Sequence, residues 1–279
     1  MRNSHSGTLF HYTRTLESLS SILREGLRAS YSKERISDKI FIAIPMVSFC
    51  DIPFDCCEEH REKYGRYAIG LNKNWMIDTY GDLLSPVHYV LRDEPIRGAW
   101  RHHENYLKAD ETVRKYEVRK KAAGEEKIKV TGPSGIVYEG YAGKLNDKED
   151  CKVLLAMNDL FHAREYANYC LGITKNYICR HGEKDFCAYD ECEWRILIPE
   201  DKTINGYTSK WFWTESEYNN WRSERQNSFL DGFTFEVETE SVEYIVIQNE
   251  SERSFILDSL EEIGKPSLAE KIKIIITVR

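Results

Sequence analysis

The sequence predicts an α+β fold, strands first and last with helical insertions, in a single domain over residues 1–279. Three observations carry this. Short apolar runs suited to strands stand near both ends, at Leu9 to Tyr12 and at Lys271 to Val278. Helical patterns of unequal length interrupt the strands, without internal repeats or linkers. A chain of 279 residues, 41% hydrophobic and 30% charged, has ample material for a core.

The elements follow in order. Leu9 to Tyr12 reads as a strand, and Thr13 as the N-cap of a helix whose Leu16, Leu19, Ile22 and Leu23 share one face before Gly26 ends it. Ile44 to Pro53 is a second strand bounded by prolines. A polar amphipathic helix follows over about Phe54 to Tyr64 and stops at Gly65; Tyr67 to Leu71 is the third strand, and Pro86 to Leu91 a short extended piece. Arg101 to Lys129 is highly charged and reads as a solvated helix and a loop, the core of a charged insertion at about 100–150. Thr131 to Gly140 is a turn and a strand, and Lys152 to Ile173 a buried helix. Glu193 to Pro199 and Val242 to Ile247 are strands, and Thr214 to Arg225 is a short helix. Ser251 caps a helix that ends at Gly264.

The net charge of −7 lacks the overall basic signature of a protein that holds nucleic acid by phosphate neutralisation alone, although a local basic surface in the charged middle stays compatible with it. The N-terminal stretch has no apolar h-region, and no apolar run is long enough to span a bilayer, so the expected location is the cytoplasm, with no membrane partner and with eight reduced cysteines. Cys179, His181, Cys187 and Cys192 offer zinc-type ligands, but irregular gaps and the lack of a CxxC pair favour free thiols, and no metal is expected. Nucleotide-loop, zinc-protease and nucleophile-elbow motifs are absent. His102, His103 and Glu104 fall in the charged helix and read as solvated.

Three constellations remain. His11, Tyr12 and Thr13 end a strand beside a helix N-terminus. On the second strand Ser48 and Cys50 share one face and Val47, Phe49 and Asp51 the other. At the last, Glu191 and Glu193 alternate ahead of an apolar strand. Two carboxylates on one face repel each other and raise one pKa, and Arg195 continues that face and offsets the charge. Such a carboxylate can hold a ribose hydroxyl and stabilise positive charge developing on a sugar. Each constellation alone also reads as an ordinary strand end.

Together, "FHYT…LESLSSILREGL", "IPMVSFCDIPF…EHREKYGRYAIGLNKNW" and "ECEWRILIP" resemble the AbiGi family of bacterial abortive phage-resistance proteins, which carries an antitoxin label. "MVSFCDIP" and "KYGRYAIGL" are the most specific segments. The motif order is also similar to that of ADP-ribosyltransferases. That resemblance implies an ADP-ribosyltransferase-like split mixed sheet and NAD as a substrate. It implies that His11 holds an NAD ribose, that Thr13 and the backbone near Tyr12 seat the nicotinamide, and that Ser48, with Phe49 nearby, takes the middle-strand serine position. Glu193 would hold the nicotinamide ribose and be catalytic, Glu191 would orient or deprotonate the acceptor, and Tyr64 or Tyr67 would supply a stacking ring. The function so implied is an NAD-dependent ADP-ribosyltransferase toxin of an anti-phage system, modifying RNA, DNA or protein. The alternative is a non-catalytic antitoxin or binding module of a toxin–antitoxin pair; either role implies a cognate partner.

Overall fold

The computed structural model describes residues 6–35, 41–92, 94–131, 137–140, 163, 166–181, 184–200, 202–204, 206–212, 214–223, 230 and 232–275. The chain forms two compact units, Met1–Leu91 with Lys175–Arg279, and Arg92–Thr174.

The first unit begins with β1 (Thr8–Thr13), α1 (Leu16–Glu25), β2 (Leu27–Arg28), β3 (Ser30–Arg35) and β4 (Phe41–Cys50). It continues through α2 (Glu58–Tyr64), β5 (Tyr67–Asn72), α3 (Lys73–Tyr80), β6 (Leu84–Pro86) and β7 (His88–Val90). In the second unit lie α4 (Glu94–Ala122), β8 (Ile128–Thr131), β9 (Val137–Gly140) and α5 (166–173). After β10 (Thr174–Asn176), the first unit resumes with β11 (Ile178–His181), β12 (Lys184–Cys187) and β13 (Glu193–Leu197). It ends with β14 (Thr203–Ile204), β15 (Tyr207–Thr208), α6 (Glu215–Ser223), β16 (Thr234–Phe235), β17 (Val242–Ile247), α7 (Arg253–Glu262) and β18 (Ile272–Ile274). The expectation of an α+β fold holds. Its centre is a mixed eight-stranded sheet of order β18-β17-β5-β1-β4-β13-β6, with β3 paired to β4. Only β17 and β18 run parallel among its described pairs.

The sheet has two differently furnished faces. In antiparallel register, directly opposed residues share a face and their chain neighbours take the other. Leu9, Val47, Phe49, Ile69, Ile196, Ile245 and Ile247 line one face and pack with Leu19 and Leu23 of α1, Met76 of α3, and Ile256 and Leu260 of α7. Phe10, Ala68 and Val246 line the other, against Tyr12, Phe54 and Tyr244. A smaller cluster of Phe212, Tyr218 and Trp221 covers Ala43 of β4.

Several boundaries differ from the sequence expectation. Thr13 is still paired with Tyr67 in β1, so the N-cap of α1 is Thr15, whose Oγ1 accepts the Ser18 amide at 3.1 Å. β4 starts at Phe41 and runs through Pro45 instead of being bounded by it. The Pro45 carbonyl still accepts the Ile198 amide at 3.1 Å, so the missing N–H does not break the ladder. The Phe54 to Tyr64 helix divides into a 3-10 turn, Phe54–Cys56, and α2. Asn249, in a capping box with Glu252, caps the helical segment assigned to Ser251. The expected buried helix over Lys152 to Ile173 lies mostly outside the described residues, which show helix over 166–173. In α4, His102 and Glu104 are exposed as expected, but His103 is only 1% exposed because it lies two turns from Ile96 on the buried side of the helix.

Gly65 stops α2 where the sequence places the stop. Its φ is +130°, and a Cβ there would lie 2.1 Å from the Thr13 carbonyl oxygen. Gly65→Ala is therefore expected to destabilise the protein by about 3 kcal/mol. Urea unfolding should show a lower midpoint; an unchanged midpoint contradicts the close approach of this turn to β1.

Candidate functional site

The register decides which expected residues meet. Cys50 is opposed to Phe10 on one side and to Glu193 on the other, and Ser48 is opposed to Arg195. Tyr12, Ser48, Glu193 and Arg195 therefore stand on the Phe10 face. His11, Thr13 and Phe49 take the opposite, main-core face. The His11 ring meets Phe49 edge-on, centroids 5.9 Å apart. Its Nδ1 donates to the Ser48 carbonyl at 2.9 Å, and burial lowers its pKa despite that bond. His11 thus touches the backbone of Ser48 while the Ser48 side chain points to the other face.

On that other face lies a buried ionic cluster. Ser48 Oγ donates to Glu193 Oε1 at 3.0 Å, and Arg195 Nε donates to the same oxygen at 2.8 Å. Arg195 Nη2 and Lys175 Nζ each lie 3.1 Å from Glu193 Oε2. Arg195, 1% exposed, also pairs with Glu34 at 2.6 Å. Glu191 receives Lys175 Nζ at 2.7 Å, together with Lys63 Nζ and the Tyr64 hydroxyl. The Tyr89 hydroxyl accepts the Glu193 amide at 3.0 Å. Three carboxylates thus face three cations in a largely desolvated space.

Local structure explains the convergence. His60, Lys63 and Tyr64 are spaced at i, i+3 and i+4 on α2 and so project from one helix face. Glu191 closes a 3-10 turn, and Cys192, at φ 44°, reverses the chain into β13. The two glutamates are therefore not alternate positions of one strand; Lys175 bridges them.

The expected repulsion does not raise either pKa. Burial pushes Glu193 upward, but Arg195 and Lys175 outweigh it and hold the carboxyl at about 2. Burial likewise opposes ionisation of Glu191, yet Lys175, Lys63 and Tyr64 lower its pKa. Burial, with Glu191 nearby, pushes the Tyr64 phenol up, so it stays a donor. Burial brings His60 down to about 4, and its ring lies 4.5 Å from Tyr64 and 5.0 Å from Tyr12, centroid to centroid.

A carboxylate offers about four acceptor sites. The four contacts on Glu193 occupy them with groups of the chain itself. A carboxyl held near pH 2 is also a poor proton acceptor at neutral pH. A ligand hydroxyl reaching Glu193 must displace Ser48, Arg195 or Lys175. Of the proposed stacking rings, Tyr64 belongs to this cluster; Tyr67 lies in the main core, its hydroxyl donating to Glu252 at 2.8 Å. The chain pattern gave no sign of Lys175, Glu34 or Tyr89, whereas the "EHREKY" spacing did carry His60 and Lys63. Among the described residues no group of three or more His, Cys, Asp or Glu is placed to hold a metal ion, and no helix is long and apolar enough to cross a membrane.

Comparison with known families matches residues 19–248 to AbiGi, described as an abortive phage resistance protein and antitoxin. The chain belongs to the AbiGi family. The match spans Ser48, the α2 residues, Lys175, Glu191, Glu193 and Arg195, and begins after His11, Tyr12 and Thr13. No curated protein and no solved structure matched the chain.

The cluster makes stability pH-dependent in two windows. Neutral burial of His60, at about 4 against an ordinary 6.5, means the unfolded chain binds more protons between these values, so stability falls as pH drops from 6.5 to 4. The contribution of ionised Glu193 is complete above its ordinary 4.5 and is lost as pH falls toward 2. Melting temperature against pH should fall through both windows, and His60→Gln should lessen the fall in the upper one, to which buried His11 also contributes. A wild-type profile that is level from pH 6.5 to 4 contradicts this burial.

Proposed function

We propose that the chain is the antitoxin of an abortive-infection pair, acting by contact with a partner toxin and not by turning over NAD. Besides membership of the AbiGi family, the observation that carries this reading is the saturation of Glu193 by Ser48, Arg195 and Lys175. The cluster reads as a structural clamp that fixes β4, β13 and α2, leaving recognition to the surface. A catalytic glutamate needs a lone pair available to substrate, and here each is occupied from within the chain.

One observation favours a second reading. The Ser48–Glu193 hydrogen bond, with the rings of Tyr64, His60 and Tyr12 alongside, is compatible with an ADP-ribosyltransferase-like fold that binds NAD and modifies RNA, DNA or protein. In that case NAD must displace Lys175 or Arg195 from Glu193, and the expected ribose contact of His11 needs a route from the other face of the sheet.

Two experiments separate the readings. NAD titrated into the purified protein by calorimetry should give no binding heat, and labelled NAD should pass no label to protein, RNA or DNA. Coexpression with the toxin of the same defence system should restore growth, and Ser48→Ala, which removes one donor and keeps the ion pairs, should restore it equally well. NAD turnover that disappears in Glu193→Gln rules out the contact-only reading, and label passing from NAD to protein, RNA or DNA establishes the transferase.

A further inference from the structure

The negative charge is unevenly distributed. Residues 92–174 carry 15 Lys and Arg against 14 Asp and Glu, a balance of +1, so the rest of the chain carries −8. Within residues 200–270, 16 Asp and Glu stand against 6 Lys and Arg, a balance of −10.

Much of this excess lies on α7 and the segment before β17. α7 buries Ile256, Ser259 and Leu260 and turns Ser254, Phe255, Asp258, Glu261 and Glu262 to solvent. Lys265, just beyond the helix, donates from Nζ to the Val237 carbonyl at 2.7 Å. That contact ties the exposed Glu236, Glu238 and Glu240 to the C-terminal end of α7. Arg24 of α1 holds Glu262 at 2.5 Å. Among the described residues, no lysine or arginine pairs with the side chains of Asp258, Glu261, Glu236, Glu238 or Glu240.

Local physics disfavours these acids. A helix C-terminus carries partial negative charge and is stabilised by cations, yet the last turn of α7 has no basic residue and ends in Glu261 and Glu262. Asp258 stands three and four residues from them, at spacings where like charges repel. On the same outward stripe, three residues before Asp258, Phe255 is 41% exposed. An apolar ring with a charged rim is the arrangement from which protein interfaces draw their affinity and specificity.

We propose that the outward face of α7, flanked by Glu236, Glu238 and Glu240, docks a basic, folded protein partner with Phe255 as its apolar anchor. This rests on the antitoxin reading, on which the partner is the toxin. A basic surface relieves the repulsion among the acids and the mismatch with the helix dipole together, and long-range attraction speeds encounter. The same charge repels nucleic acid phosphates and anionic lipid headgroups, which leaves a protein as the occupant.

The test uses the purified full chain and the purified toxin of the same defence system, with the dissociation constant measured at about 0.05 and about 0.3 M NaCl. Wild-type affinity should fall at least tenfold with salt. The double variant Asp258→Lys with Glu261→Lys, and separately Phe255→Ala, should each weaken binding at least tenfold without lowering the melting temperature. Arg119→Glu with Lys121→Glu on α4 should leave binding unchanged. Growth rescue by coexpression separates the two ideas. If the charge-reversed chain binds and rescues like wild type, this surface is wrong while the antitoxin reading stands; if wild type rescues without binding, both this surface and the contact reading are wrong. If wild type does not rescue, the antitoxin reading fails and this proposal fails with it.

Discussion

The pairing of Arg195 with Glu193 and Glu34 is the constraint around which the sheet is arranged. A guanidinium that is 1% exposed cannot stay charged in an apolar layer without carboxylates at hydrogen-bond distance. Glu34 lies on β3 and Glu193 on β13, the two strands that pair with β4 over its successive halves. Arg195 therefore ties together strands far apart in the chain, and Lys175 extends the network to Glu191, which Lys63 and Tyr64 of α2 also hold. Removing one member leaves a buried charge uncompensated, which costs more than the contact contributes when intact.

The same network weighs against chemistry at the site. Electrostatic catalysis needs preorganised groups aimed at a reacting atom, with capacity left for it. Here the orienting groups point at one another. Ser48 and Glu193, the residues nearest to a catalytic pair, are each other's partners, and Lys175 and Arg195 fill the remaining acceptor sites of Glu193. The main-core face, on which His11 lies partly exposed, packs against α1, α3 and α7. On the proposed antitoxin reading, recognition falls to the surface, where α7 displays acids that its own helix does not favour.

Legibility followed the range of the interaction. The Tyr67 to Leu71 and Val242 to Ile247 strands, the α1 core positions Leu19 and Leu23, and the glycine stop at Gly65 could be read because each is set by periodicity or by a backbone conformation that glycine allows. The cap of α1 lies two residues beyond its expected place because strand pairing, not local preference, holds Thr13 in β1 and gives the cap to Thr15. Ser48 and Glu193 were legible as candidates and do meet. His11 was equally visible, but one step along a strand inverts the face, and only the register with β5 and β4 fixes which face it takes.

The sequence by itself determined the α+β class, the order of most elements, the acidic balance and the residues with the means for chemistry, because composition and period are written in neighbouring positions. The tertiary structure alone decided what those residues do. Lys175 and Glu193 are 18 positions apart, Lys63 and Glu191 are 128 apart, and Glu34 and Arg195 are 161 apart. Contacts across such separations leave no periodic trace in the chain. They hold Glu191 and Glu193 ionised, because a carboxylate's pKa depends on the cations within a few ångströms of it and not on its neighbours in sequence.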